Sequence, residues 1–350
     1  MYVHSEKELL AKRLKGQRLV IPDMRPIFAH WPRERNENYH MMKEAIDERF
    51  ATQPMKEEAR KAFNDINPAL LAATWWPTAS IKQYKVLVEL IIWFAYWDDL
   101  IENLASDPTA AEGLRVATKV LVCQSLGLAE PTEDVVISNP LIYSFKNIAE
   151  EICSIYDEEQ RRTLLGHFDR YIDSTRLEAE ADQSDKLPTL RRYWEVRTLT
   201  SGMGTLLGCT EFAVQVRLPT RIVCSAAYET LWVTTIVINS IVNDLVSFKK
   251  EMKAGSVLSS VAILYHEVDN LDAAVQMTLA HLRILVDEFD RTANTILSKF
   301  PLDADEADAI SKVIDALRMV NTGNLEWSLQ TNRYGVGQFM TNTGQIELVL

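Results

Sequence analysis

The sequence predicts an all-α protein folded as a single domain, and two observations carry that prediction. Glycine and proline number 12 each in 350 residues, well under the roughly 12% the two together usually contribute. From about residue 36 onward, apolar positions recur at helical spacing in one segment after another, with no low-complexity linker or repeat between them.

Taken in order, residues 36–50 and 55–66 read as two amphipathic helices. A long apolar helix runs from Ile81 to Leu104 and stops at Ser106, Asp107 and Pro108, because the residue before a proline is pushed out of the helical region. Helices follow at 109–127, 133–156 and 157–182. Pro188 lies near the first turn of the next, where its missing N–H costs nothing. Gly202, Gly204 and Gly208 break that helix near Thr200, Ser201 and Gly202. Pro219 opens a second long helix to Lys253, ended by Gly255, and helices at 256–268, 270–299, 303–320 and 323–333 complete the chain. Ile81–Leu104 and Pro219–Lys253 are apolar around most of their circumference, which places both at the centre of a bundle. The β-branched triplets Val120–Val122 and Val135–Ile137 are too short to outweigh their helical context. The expected organisation is an extended arm over residues 1–35, the helical domain over 36–340 and a tail over 341–350.

Composition excludes several functions. With 37 Lys+Arg against 49 Asp+Glu, the formal charge is −12, and a nucleic-acid backbone would be repelled. No stretch reaches the roughly 18–20 uninterrupted apolar residues of a membrane span. The first residues lack the apolar core of a signal peptide, so a cytoplasmic location is expected. Cys123, Cys153, Cys209 and Cys224 contain no C-x-x-C pair and read as buried free thiols. The six histidines are scattered and are assigned no role.

The two central helices both turn polar at their C-terminal ends. In the first, Trp93, Phe94, Tyr96 and Trp97 run into Asp98, Asp99 and Glu102. Asp98 and Glu102 are four apart on one face, where like charges repel, and they sit at the negative end of the helix dipole. A cation placed there would offset both penalties, and a hard divalent ion such as Mg²⁺ suits oxygen ligands. A helix end that simply becomes polar on exposure is the plain alternative. In the second, Asn243, Ser247 and Glu251 form one stripe of amide, hydroxyl and carboxylate oxygens, with Lys250 on nearly the same face. A capping Asn or Ser belongs at a helix N-terminus rather than in an interior.

These segments resemble the two metal motifs of class I terpene synthases. Asp98-Asp99-Leu100-Ile101-Glu102 is similar to the aspartate-rich motif, with Glu102 where many relatives have Asp. Asn243-Asp244-Leu245-Val246-Ser247-Phe248-Lys249-Lys250-Glu251 matches N-D-x-x-S-x-x-x-E in full. Trp327 followed by Arg333 and Tyr334 resembles the terminal W-x-x-x-x-x-R-Y element. Arg197, with Ser201 and Gly202 after it, stands where the family carries its diphosphate-sensing arginine and a helix break; Thr200 replaces an Asp often found there. The resemblance spans about residues 20–340, and the segment around Ile21-Pro22-Asp23 and Trp31-Pro32 is similar to fungal sesquiterpene cyclases.

The resemblance implies a class I terpenoid synthase bundle around a central apolar cavity. It implies three Mg²⁺ ions, with Mn²⁺ able to substitute: two at Asp98 with Glu102 or Asp99, one at Asn243, Ser247 and Glu251. Arg197, Lys250, Arg333 and Tyr334 would bind the diphosphate of a prenyl diphosphate, Arg197 and Ser201 would act in ionisation, and Phe94 and Trp327 would face the carbocation. Trp75, Trp76, Trp97 and Trp232 are further wall candidates. Cyclisation of farnesyl diphosphate to a sesquiterpene hydrocarbon or alcohol is expected, by a monomer or homodimer. Geranylgeranyl diphosphate as substrate and a non-catalytic prenyl-diphosphate-binding protein are the alternatives; the absence of a second D-D-x-x-D argues against chain elongation.

Overall fold

The computed structural model describes residues 5–52, 56–130 and 139–350. The bundle is built from α2 (Tyr39–Thr52), α3 (Glu57–Ile66), α4 (Pro68–Trp75), α5 (Ile81–Asn103), α6 (Pro108–Ser125), α8 (Phe145–Cys153), α9 (Glu158–Gln183), α10 (Leu190–Thr200), α14 (Ala226–Ala254), α15 (Ser260–Val268), α16 (Leu271–Lys299) and α17 (Ala304–Gln330). Short helices α7 (Pro140–Tyr143), α11 (Met203–Leu207), α12 (Thr210–Val214) and α13 (Thr220–Val223) connect them. The long helices start at side-chain caps that satisfy otherwise orphaned N–H groups. Ser80 caps α5, and Asp157 and Asp303 form capping boxes with Gln160 and Glu306 at α9 and α17.

Both helices read as central are so. In α14, which packs on α16 and α17, Ile238, Ile241 and Val242 are fully buried, each contributing about 1.5–3 kcal/mol of apolar transfer. By length and composition α14 alone, among the described residues, would suffice to cross a membrane, but 83% of its most apolar window is buried inside the bundle. Its neighbours, rather than lipid, cover it.

Several elements differ from the expectation. The stretch read as an extended arm contains a helix, α1 (Glu6–Leu14), and a strand, β1 (Arg18–Ile21), which pairs antiparallel with β2 (Ile346–Val349) from the tail. Leu10, Leu14, Leu19, Ile21 and Phe28 are buried beneath them, so this segment belongs to the core. The unanticipated α4 is buried at all eight positions; an all-round apolar octapeptide has no periodicity to betray it. Helices read separately at 303–320 and 323–333 are one, because Gly323 does not break α17. A Cβ there would lie 2.1 Å from the Thr74 carbonyl oxygen, so the glycine lets α4 and α17 approach. After Pro219 the chain makes only α13 before Ser225 caps α14. Val120–Val122 lies within α6, whereas Val135–Ile137, the start of the helix read at 133–156, and Met55 fall outside the described residues. The cysteines are free, but only Cys209 is buried; Cys123 and Cys153 are half-buried and Cys224 is exposed.

Candidate active site

The C-terminal halves of α5, α9, α10 and α14 and the segment after α17 enclose one cavity of about 640 Å³, within the size range of small-molecule sites. Phe94, Asp98, Asp99, Glu102, Arg197, Ser201, Asn243, Ser247, Lys250, Glu251, Trp327, Arg333 and Tyr334 all line it. Residues as far apart in sequence as Phe94 and Tyr334 thus meet in one place. Ile66, Leu71, Ile91, Met203 and Leu206 supply apolar wall. Of the further tryptophans, Trp75 lines the cavity. Trp97 donates to Thr118 Oγ1 (2.8 Å) and Trp232 stacks on His167 at 4.6 Å; neither is among the lining residues, and nor is the buried Trp76. A smaller, more polar hollow of about 360 Å³ lined by Lys43, Asp47 and Arg60 carries none of the motif residues.

The second motif is pre-assembled by hydrogen bonds. Ser247 Oγ lies 2.6 Å from Glu251 Oε1 and 2.7 Å from Asn243 O, its one proton shared between the two acceptors. Arg197 donates to Asn243 Oδ1 (2.6 Å), while Asn243 Nδ2 donates to Tyr334 Oη (2.8 Å). Behind them Asp244 accepts from Tyr193 Oη (2.8 and 2.9 Å), Ser260 N (2.8 Å) and Ser260 Oγ (2.6 Å), and lies 3.8 Å from Arg197 Nε. Asp244 is therefore turned away from the cavity and supports Arg197.

On α5, Asp98 accepts a hydrogen bond from the Tyr171 hydroxyl, and Phe94, one turn earlier, packs on the Tyr171 ring at 4.7 Å. The helix break falls against Phe94: Gly202 has φ +67°, and a Cβ there would lie 2.1 Å from Phe94 Cζ. Ser201 meets Arg197 only through the helical bond from Ser201 N to Arg197 O (3.0 Å). Trp327 is held by a bond from its indole N–H to Ile66 O (2.6 Å).

Sequence reasoning missed Tyr171, Glu178 and Asp182 on α9, and the supporting Tyr193 and Ser260. The signal for two of them was available: Glu178 and Asp182 are four apart, the same like-charge spacing singled out on α5, and both line the cavity.

The electrostatics bear on metal binding. Six lining carboxylates (Asp98, Asp99, Glu102, Glu178, Asp182, Glu251) face four lining cations (Arg115, Arg197, Lys250, Arg333), so the wall carries excess negative charge. Burial, then Asp98 and Asp99, push Glu102 up to about 7. Burial, then Asp98, does the same to Glu178. Burial also raises Asp98 and Glu251 above the usual carboxylate range. Lys250 is lowered by burial and by Arg333. Carboxylates left this poorly compensated by protein cations suit divalent ions. Among the described residues no three His, Cys, Asp or Glu side chains gather into a closed metal cage. Asp98, Asp99 and Glu102 are oxygen donors on the wall of the same cavity. Mg²⁺ typically takes one or two carboxylates and completes its shell with water and substrate phosphate oxygens, so it does not require a closed cage.

A helical bundle whose cavity brings two oxygen-ligand motifs opposite an arginine-rich rim is the class I terpene synthase arrangement. The family model for terpene synthase family 2, C-terminal metal binding, matches residues 89–288, and the chain belongs to that family. It is an enzyme of terpene synthase type, with a domain of metal-binding class. Sesquiterpene cyclase hepA of Aspergillus oryzae is 27% identical, the alignment covering 99% of this chain and 98% of the relative. Pristinol synthase of Streptomyces pristinaespiralis is 27% identical over 79% of this chain and 75% of its own length. In three dimensions, α-eudesmol synthase superposes with a TM-score of 0.74 at 17% identity, covering 85% of this chain and 97% of that one, which agrees with the fold.

Proposed function

We propose that the enzyme ionises farnesyl diphosphate in the presence of Mg²⁺ and cyclises the resulting carbocation to a sesquiterpene. The observation that carries this reading is the meeting of Asp98, Glu102, Asn243, Ser247 and Glu251 with Arg197, Lys250, Arg333 and Tyr334 at the rim of one partly apolar cavity. Asp98 with Glu102 or Asp99, and Asn243 with Ser247 and Glu251, would hold the metal. When bound, Mg²⁺ supplies Lewis-acid neutralisation of the diphosphate.

The chain's own residues do the rest. Arg197 and Arg333 present planar donor forks to the departing diphosphate, and Lys250 and the Tyr334 hydroxyl add further donors. Asp244 holds Arg197 in place from behind. Ile66, Leu71, Ile91 and Leu206 keep water from the bulk away from the prenyl chain and help fold it for ring closure. The Phe94 ring, fixed between Tyr171 and Gly202, offers a π face to passing positive charge, worth roughly 0.5–2 kcal/mol. The full-length similarity to a sesquiterpene cyclase supports farnesyl diphosphate as the substrate.

The test is incubation with geranyl, farnesyl and geranylgeranyl diphosphates plus Mg²⁺, followed by separation of volatile products. A cyclic product chiefly from farnesyl diphosphate is expected. A cyclic product chiefly from geranylgeranyl diphosphate would overturn the chain length, and no cyclic product from any of the three would overturn the function.

A further inference from the structure

The wall of the cavity contains a polar group that diphosphate binding does not use. One turn before Asn243 on α14, Asn239 lines the cavity, as do Ser240 and, across on α17, Asn324. Asn239 and Ser240 are almost wholly buried, and Asn324 is only 6% exposed.

The orientation of the Asn239 amide is determined by its neighbours. Its Nδ2 faces two oxygens, Thr235 O (3.0 Å) and Asn321 Oδ1 (2.6 Å). Asn321 in turn donates from its own Nδ2 to Leu317 O (3.0 Å), so its oxygen is the atom left to face Asn239. Only an NH₂ group can meet two acceptors, and the amide therefore cannot be flipped without losing both bonds. That leaves Asn239 Oδ1 with no hydrogen-bond partner, on a residue 2% exposed. Asn324 braces the same turn by donating to the Asn239 backbone carbonyl (3.4 Å). Another lining residue, Trp75, carries an unpartnered donor: its indole Nε1 is buried without an acceptor. Polar atoms stranded in a low-dielectric wall are costly unless something bonds to them. A terpene hydrocarbon can bond to neither; a water can both donate to the amide oxygen and keep a lone pair free.

We propose that the Asn239–Asn321–Asn324 amide cluster holds a water in the cavity wall, and that this water captures the final carbocation, making the product a cyclic terpene alcohol. This rests on the cyclase reading above and deepens it. The water oxygen donates a lone pair to the cationic carbon, forming one C–O bond, and the resulting oxonium gives up one proton. An amide oxygen is too weak a base to keep that proton. The diphosphate already released is a base available in the same cavity, bound one helical turn away, about 5.4 Å along α14, near Asn243. The balance is prenyl diphosphate plus water giving alcohol plus protonated diphosphate, with no oxidant or reductant required. Ser240, whose hydroxyl donates to Ile236 O (2.9 Å), presents its lone pairs beside the same site.

The experiment uses the purified full chain with farnesyl diphosphate and Mg²⁺ in ¹⁸O-water, with volatile products analysed by mass spectrometry. The expected main product is an alcohol carrying one labelled oxygen. Asn239→Leu should lower the alcohol-to-hydrocarbon ratio at least tenfold among the products it makes. The pair Asn239→Leu with Asn321→Leu removes both amides together, leaves neither stranded, and should shift the ratio the same way. A wild type that makes only hydrocarbon, an alcohol without label, or an unchanged ratio in either variant would overturn the proposal. Where Asn239→Leu does not fold, the conservative Asn239→Asp, which keeps the volume but removes the NH₂ that fixes the amide, should shift the same ratio, and an unchanged ratio there would equally overturn the proposal. Hydrocarbon products overturn this inference alone, whereas no product from any prenyl diphosphate overturns the cyclase reading and this inference with it.

Discussion

The residues proposed to act in catalysis are held by partners that are not themselves among the proposed metal ligands. Asn243 and Asp98 lie in recognisable patterns, but Tyr171 fixes Asp98, and Asp244 anchors Arg197 from a fully buried position. Replacing Asp244 with Ala removes the acceptor for Tyr193 and Ser260 and strands Arg197. Breaking a buried charge pair in this way costs about 3–5 kcal/mol, which a thermal or urea melt would register. Replacing Asn243 with Ala should lower turnover on the order of 100-fold or more while far-UV circular dichroism stays at the wild-type level. The motif residues were legible because a helix interior with Asn, Ser and Glu at four-residue spacing defies ordinary helix chemistry. Tyr171 was not, since one tyrosine on an amphipathic helix carries no signal until the fold sets Asp98 beside it.

At the scale of elements, two glycines carry information that the sequence pattern read only half correctly. Gly202 was legible as a break, and its φ of +67° shows why glycine stands there. Gly323 lies where two separate helices were read, because the cause of its presence, the Thr74 backbone 2.1 Å from a would-be Cβ, lies in another helix. Both predict damage from a single methyl. Gly202→Ala must displace Phe94 and adopt a strained backbone, so kcat should fall together with a stability loss of about 1–3 kcal/mol. Gly323→Ala should cost a comparable amount by prising α4 from α17, measurable as a lower urea midpoint at unchanged slope. The N-terminal helix and strand escaped sequence reading for a related reason. A four-residue strand such as β1 is specified by its partner β2 at the far end of the chain, and no local periodicity records that pairing.

For the whole molecule, a formal charge of −12 matters less than where a few of its acids stand. Glu102 and Glu178 are held up to about 7 in the folded protein, above the ordinary glutamate value near 4.3. Folded protein therefore keeps protons that the unfolded chain releases, and stability falls as pH rises from about 4.3 through 7. A divalent ion bound among these carboxylates offsets that loss, so the rise in Tm on adding Mg²⁺ should be larger at pH 8 than at pH 5. His167 acts in the opposite sense. Burial, with Arg170 adding, lowers it to about 3, so the stability of its neutral form is complete above pH 6.5 and is lost as pH falls towards 3. The most direct test of the central claim is diphosphate release from farnesyl diphosphate by metal-stripped enzyme, before and after Mg²⁺ is restored. Release only with Mg²⁺ is expected from the wild type, with a loss on the order of 100-fold in Asn243→Ala. Undiminished release from stripped enzyme, or from that variant, would contradict it.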